Sequence, residues 1–172
     1  MRLGAFFARG PSAAQRYVRW AMAEPDPPSV AWLAGVATGG DADRAAWELR
    51  YLRRALALVV AQRDALDDQT GSEVARELRL ATRADRQVAA AMVTLAERQF
   101  NERLSAYREM LALRGLPDSP AERVGRTLLL LSGCPLVTAP DVSRGAEVAA
   151  RWQAEAVEAL TAAFGEARPR VG

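Results

Sequence analysis

The sequence predicts an all-α fold, a single-domain helical bundle built on two long antiparallel helices with shorter helices packed around them. Of the 172 residues, 50% are hydrophobic and 26% are charged, which is the composition of an ordinary globular domain. Alanine, leucine, glutamate and arginine dominate and are strong helix formers, whereas strand-favouring residues are sparse. We expect the helical domain over 12–166, between a loose leader over 1–11 and a loose tail over 167–172.

The first two predicted helices are short. Ser12 is a suitable N-cap for a helix that reaches about Ala23, because its hydroxyl can accept a hydrogen bond from an amide of the first turn. The proline-rich run that follows should stop this helix, since proline lacks an amide proton and clashes with the preceding turn. Ser29 should then cap a helix ending near Val36, before two glycines.

Two long helices carry the strongest apolar periodicity. The first covers about 41–68 and places apolar residues at intervals of three and four, namely Leu49, Leu52, Leu56, Val59 and Leu66. The second covers about 85–114, with the stripe Val93, Ala96, Phe100, Leu104, Tyr107 and Leu111. This spacing is typical of amphipathic helices. Between them we expect a break at 69–72 and a shorter helix that starts at Ser72.

Two further helices complete the predicted bundle. Ser119, followed by Pro120 and by Glu122 at the third helical position, is a capping box. The last helix should start at Asp141 or Ser143 and run to Gly165. No stretch reads as a strand of useful length.

The composition excludes several classes of active site. The chain has no histidine and one cysteine, and its positive side chains are all arginine. Histidine-based acid–base catalysis, ordinary zinc sites, di-iron bundles and lysine Schiff bases are therefore excluded. The missing residue types argue against an enzyme, and we predict no cofactor except a possible Mg²⁺ ion.

The charge and hydropathy patterns indicate whether the protein binds nucleic acid and whether it enters a membrane. The net charge is only +2, and acids and arginines are spread evenly along the chain, so binding to nucleic acid is not favoured. No apolar run approaches the roughly 20 residues that cross a bilayer. The apolar stretch near the N-terminus is shorter than that of a usual signal peptide. We expect a cytoplasmic protein without a membrane segment.

One cluster of acids could form a metal site. Asp64, Asp67 and Asp68 follow one another near the predicted end of the first long helix, and oxygen ligands of this kind suit Mg²⁺. The alternative is a structural network, in which these carboxylates pair with arginines or cap the following turn.

The arginines offer a second set of candidates. Arg50, Arg53 and Arg54 could contact phosphate or an acidic partner, and Arg63 falls within the apolar stripe of its helix. A buried arginine needs a carboxylate partner, and the candidates for a buried pair with Arg63 are Glu97 and Asp67. Polar side chains between the two long helices could instead form a pocket for a small anion.

Three functions follow from these patterns. The first is a non-catalytic interaction or structural protein that self-associates or binds a protein partner. The second is a small-molecule or Mg²⁺–phosphate site between the long helices that uses the three aspartates, with or without catalytic activity. The third is a weak nucleic-acid-binding or regulatory module.

Overall fold

The computed structural model describes residues 10–64 and 67–165 and confirms the all-α fold. Within those two ranges there is no strand. The described elements are α1 (Ala13–Ala21), α2 (Pro27–Val36), α3 (Ala42–Asp64), α4 (Asp68–Arg83), a single 3-10 turn (Ala90–Met92), α5 (Val93–Ala112), α6 (Pro120–Leu131) and α7 (Ala139–Phe164). The predicted tail and nearly all of the predicted leader lie outside the described residues.

Helix α3 is the centre of the fold, because it contacts each of the other six α-helices. Its apolar side chains supply much of the core, and Leu49, Leu52, Leu56 and Val60 have no exposed surface. The middle of this helix is covered almost completely, so the charged residues there must find partners inside the protein. Three of them, Glu48, Arg53 and Arg54, are buried.

The two-helix description of the bundle needs correction. Helix α7 has 26 residues and is longer than α3 with 23 and α5 with 20. It begins at Ala139 and not at Asp141 or Ser143, because Thr138 accepts a hydrogen bond from the amide of Asp141 and Pro140 fits the first turn. The core therefore rests on three long helices, and the antiparallel arrangement stays a prediction.

The predicted first long helix is divided into α3 and α4. Helix α3 ends at Asp64, and Asp67 caps α4 through the amide of Thr70. The expected break at 69–72 is wrong, since Gly71 lies inside α4, where a Cβ atom added to it would lie 3.7 Å from Gln62. Glycine weakens a helix by about 1 kcal/mol but does not end one.

The predicted second long helix starts later than expected. The carboxylate of Asp85 accepts hydrogen bonds from the amide of Gln87 and from Arg54. Aspartate side chains that bond nearby amides favour turns over helix. The chain consequently forms an irregular stretch before α5, and we call residues 84–92 the α4–α5 segment.

The remaining helix starts are mostly as expected. Ser12 and Ser119 both form the complete capping box, with Gln15 and Glu122 as their partners. The start of α2 differs, because Asp26 and not Ser29 is the N-cap and two prolines occupy the first turn. Proline is tolerated there, since its missing amide proton would have no helical partner.

Arg123 fastens α6 to the end of α5. Its buried guanidinium donates to the carbonyls of Met110 and Leu113, each at 2.8 Å, and also to that of Asp118. The last carbonyls of a helix have no partner within the helix. One arginine therefore satisfies several of them and holds the α5–α6 connection against the core.

Candidate functional site

A pocket of about 630 Å³ lies between α3 and α5, and we call it the α3–α5 pocket. Helix α3 supplies one wall with Arg44, Trp47, Glu48 and Tyr51. These residues are spaced three and four apart, so they lie on one face of the helix. The wall combines two aromatic rings with one positive and one negative charge.

Helix α5 supplies the opposite wall with Leu95, Ala96, Gln99 and Arg103, which again share one helix face. The α4–α5 segment closes a third side through Gln87, Val88, Ala89 and Met92. Met92 is 49% exposed, so the pocket reaches the surface there. Apolar walls with a few polar groups are typical of small-molecule sites, which span roughly 300–1,000 Å³.

A buried ion pair joins the two helices at the pocket. Arg103 donates from Nε to Oε2 of Glu48 at 2.8 Å and from Nη2 to Oε1 at 2.5 Å. The Glu48 side chain is only 6% exposed and that of Arg103 is 13% exposed. The hydrogen bonds to Glu48 raise the pKa of Arg103. Both oxygens of the one carboxylate in the pocket wall are thus occupied by a single guanidinium.

Two tyrosines surround this ion pair. Tyr51 donates its hydroxyl proton to Oε1 of Gln99 at 3.1 Å, and its ring lies 5.3 Å from the Arg103 guanidinium carbon. Tyr107 is fully buried, and its hydroxyl has no hydrogen-bond partner among the described residues. Burial raises the pKa of both phenols, and the negative charge of Glu48 adds to this effect. Both hydroxyls therefore stay protonated around neutral pH.

Polar contacts hold the α4–α5 segment against the rest of the protein. Arg54, which is 2% exposed, donates from Nη2 to Asp85 at 2.8 Å. Gln87 donates to Glu24 at 2.9 Å, and Glu24 also pairs with Arg50 at 2.5 Å. These links fix the third side of the pocket to α3 and to the residues that follow α1.

The three aspartates of the predicted metal site do not line the α3–α5 pocket. Asp64 pairs with its neighbour Arg63 at 2.6 Å, and Asp67 is the N-cap of α4. Asp67 and Asp68 border a separate polar cavity with Arg63 and Ser72. Across 10–64 and 67–165, no three acid or cysteine side chains group closely enough to hold a metal ion. The carboxylate in the pocket between α3 and α5 is Glu48.

The predicted arginine patch is largely internal. Arg53 is 9% exposed, lies 4.5 Å from the ring of Trp20 and 5.4 Å from that of Trp152, and donates to the Trp20 carbonyl. Arg54 is buried against Asp85, and Arg50 pairs with Glu24. Neighbouring helices cover this face of α3, so these side chains contact other parts of the same chain.

The predicted buried pair of Arg63 with Glu97 is corrected by the structure. Arg63 lies in the last turn of α3 with its side chain 57% exposed, and it binds Asp64. Glu97 binds Arg83 of α4 at 2.6 Å. Arg63 follows Val60 and Ala61, which are fully buried, and lies with Gln62 at an exposed part of α3. The buried pair that links α3 with α5 is Glu48 with Arg103.

The sequence contains a signal for this pair that the apolar stripes alone do not show. Glu48 is four residues before Leu52, and Arg103 is three residues after Phe100 and four before Tyr107. Both charges therefore occupy the inward face of their helices. Opposite charges at inward positions of two helices that pack together predict a buried ion pair.

None of the described helices is long and apolar enough to cross a lipid bilayer. Comparison with protein-family models, with curated protein sequences and with solved structures finds no match to this chain.

Proposed function

We propose that the protein binds a small amphipathic molecule in the α3–α5 pocket. The observation that carries this proposal is a pocket of about 630 Å³ in which aromatic and aliphatic side chains surround the buried Glu48–Arg103 pair. Convergence of a few fixed polar groups within an apolar cavity is the usual design of a ligand site.

Binding without catalysis suits the groups that line the pocket. The only lining carboxylate is Glu48, and both of its oxygens accept hydrogen bonds from Arg103. Because the Arg103 guanidinium occupies both oxygens of Glu48, this carboxylate is poorly placed to take a proton from a ligand. The lining offers no hydroxyl or thiol nucleophile with an adjacent base.

The other functions expected from the sequence stay predictions. Self-association or binding of a protein partner would use exposed apolar side chains such as Leu116, Leu130 and Leu136, which are 50%, 59% and 74% exposed. Binding of nucleic acid has less support, since Arg50, Arg53 and Arg54 are engaged within the chain. Location in the cytoplasm likewise stays a prediction.

Filling the pocket should abolish binding. Ala89 lines the pocket and is exposed, so tryptophan at this position can enter the cavity without displacing core residues. We expect Ala89→Trp to weaken binding of the fluorescent apolar probe N-phenyl-1-naphthylamine by at least about tenfold, or ~1.4 kcal/mol. Titration of the probe into each protein, followed by its fluorescence, measures this change.

The neighbouring residue provides a matched control. Ala90 is also exposed but does not line the pocket, so Ala90→Trp should leave the dissociation constant of the probe unchanged. Melting temperatures of both variants should stay close to that of the wild type. Equal affinity of Ala89→Trp and the wild type, or equal loss in both variants, would contradict binding in this pocket.

A further inference from the structure

We infer that the buried Glu48–Arg103 pair makes the α3–α5 pocket selective for uncharged ligands, in which an apolar body carries a neutral polar group such as a hydroxyl or a ketone. This inference rests on the proposed function and narrows its ligand class. It follows from where the charges around the pocket lie and from the groups that already neutralise them.

The two opposite charges in the pocket wall neutralise each other. Glu48 accepts hydrogen bonds from Nε and Nη2 of Arg103 at 2.8 and 2.5 Å, and little of either side chain is exposed. Nη1 of Arg103 donates to the backbone carbonyl of Gln99 at 3.4 Å. All three nitrogens of the guanidinium and both oxygens of the carboxylate therefore have partners. A charged ligand meets neither a free cation nor a free anion in this pair.

The third charged residue of the lining holds its charge away from the pocket. Arg44 is exposed, and its Nη2 atom lies 3.0 Å from the point that a Cβ atom on Gly133 would occupy. Gly133 belongs to the turn after α6 and does not line the pocket. Solvent screens an exposed charge in such a position. Arg44 therefore adds little attraction for an anion within the pocket.

The charges beside the Trp47 ring are also paired. Arg50 and Arg54 lie 4.6 and 5.8 Å from this ring, and they bind Glu24 and Asp85 respectively. Nε and Nη1 of Arg54 have no hydrogen-bond partner in the described chain, but both atoms are fully buried and Arg54 does not line the pocket. Each positive charge beside this ring is therefore compensated within the chain.

The polar groups that remain for a ligand are neutral. Burial raises the pKa of Tyr51, so its hydroxyl keeps its proton and donates it to Oε1 of Gln99 at 3.1 Å. Among the described residues, the Tyr51 oxygen accepts no hydrogen bond and the Gln99 amide nitrogen donates none. Such groups can bind a neutral hydroxyl or ketone, but they cannot neutralise a ligand charge that has lost its water.

Two probes with the same aromatic body test the inference. 8-Anilinonaphthalene-1-sulfonate carries a sulfonate, and N-phenyl-1-naphthylamine is the same molecule without it. The sulfonate would lose water without meeting a free positive charge, so we expect the wild type to bind the neutral probe at least about tenfold more tightly. The indole N–H signal of Trp47, which lines the pocket, measures binding of both probes at this site.

Release of Arg103 should change this preference. In Glu48→Gln the guanidinium has no anionic partner and can donate charge-assisted hydrogen bonds to the sulfonate. We expect the variant to bind the sulfonate about tenfold more tightly than the wild type does, with little change for the neutral probe.

Glu102→Gln is the matched control, because it removes the same charge from a residue that lies 3.9 Å from Arg103. The Glu102 side chain is 62% exposed, and solvent screens a pair of this kind. Both affinities should therefore stay as they are in the wild type. Melting temperatures show whether each variant is folded, and the comparison of the two probes on the wild type decides the inference without any variant.

The outcomes separate this inference from the proposed function. A preference of the wild type for the neutral probe, reduced in Glu48→Gln alone, supports an uncharged ligand. Equal affinity of the wild type for both probes, or equal effects of the two variants on the sulfonate, overturns the inference and leaves binding in the pocket intact. Failure of N-phenyl-1-naphthylamine to bind the wild type would overturn the proposed function itself.

Discussion

Arg103→Met should destabilise the protein by about 3–5 kcal/mol, because it leaves Glu48 buried without its partner. Methionine retains most of the apolar stem of arginine, so the loss should come from the missing charge and hydrogen bonds. The Glu48 side chain is only 6% exposed, so water can replace little of what Arg103 provides. Urea unfolding of the wild type and the variant measures the difference in unfolding free energy.

Two further variants show that the cost comes from an unpaired buried charge. Glu48→Gln removes the negative charge and retains most of the side-chain volume, so we expect a smaller loss of about 1–2 kcal/mol. Replacement of both residues by methionine should recover much of the stability lost in Arg103→Met, because a buried ion pair can often be replaced by apolar groups. A double variant as unstable as Arg103→Met would contradict this explanation.

Gly125→Ala should cost about 3 kcal/mol, because α6 and α7 touch through their backbones at this residue. A Cβ atom on Gly125 would lie 2.6 Å from the amide nitrogen of Ala146, 2.7 Å from the carbonyl carbon of Gly145 and 2.9 Å from the oxygen of Val142. Backbone atoms cannot rotate away as a flexible side chain can. The two helices would have to separate, and the variant should unfold at a lower urea concentration.

A second helical glycine is the control for this variant. Gly35 lies within α2, and nothing occupies the space within 4 Å of a Cβ atom placed there. Gly35→Ala should therefore be neutral or stabilising by up to about 1 kcal/mol, since alanine favours helix. If Gly125→Ala were as stable as Gly35→Ala, the close crossing of α6 and α7 would be wrong.

Local signals in the sequence predict the helices well but predict their packing poorly. The capping boxes at Ser12 and Ser119 are correct because a cap depends on residues three positions apart. The contact of Gly125 with Gly145 and the pair of Glu48 with Arg103 join residues far apart in the chain. Such contacts depend on how the helices pack, which periodicity alone does not specify.

The helix boundaries show a similar limit. Asp85 precedes an apolar stripe, and this position predicts the start of a long helix. In the structure its carboxylate accepts hydrogen bonds from the amide of Gln87 and from Arg54, and the chain turns there. After this turn, Gln87, Val88 and Ala89 line the pocket. The sequence does predict a polar pocket between the long helices, with Asp64, Asp67 and Asp68 as its carboxylates. In the structure, the carboxylate that lines the pocket between α3 and α5 is that of Glu48.

The most direct test of the pocket is the indole signal of Trp47. The chain has four tryptophans, and Trp47 alone among them lines the α3–α5 pocket. Each indole N–H gives one signal in a ¹H–¹⁵N spectrum, and loss of a signal in Trp47→Phe assigns it. We expect titration with N-phenyl-1-naphthylamine to shift the Trp47 signal progressively and to leave those of Trp20, Trp32 and Trp152 in place. An unchanged Trp47 signal, or equal shifts of all four, would contradict a ligand site between α3 and α5.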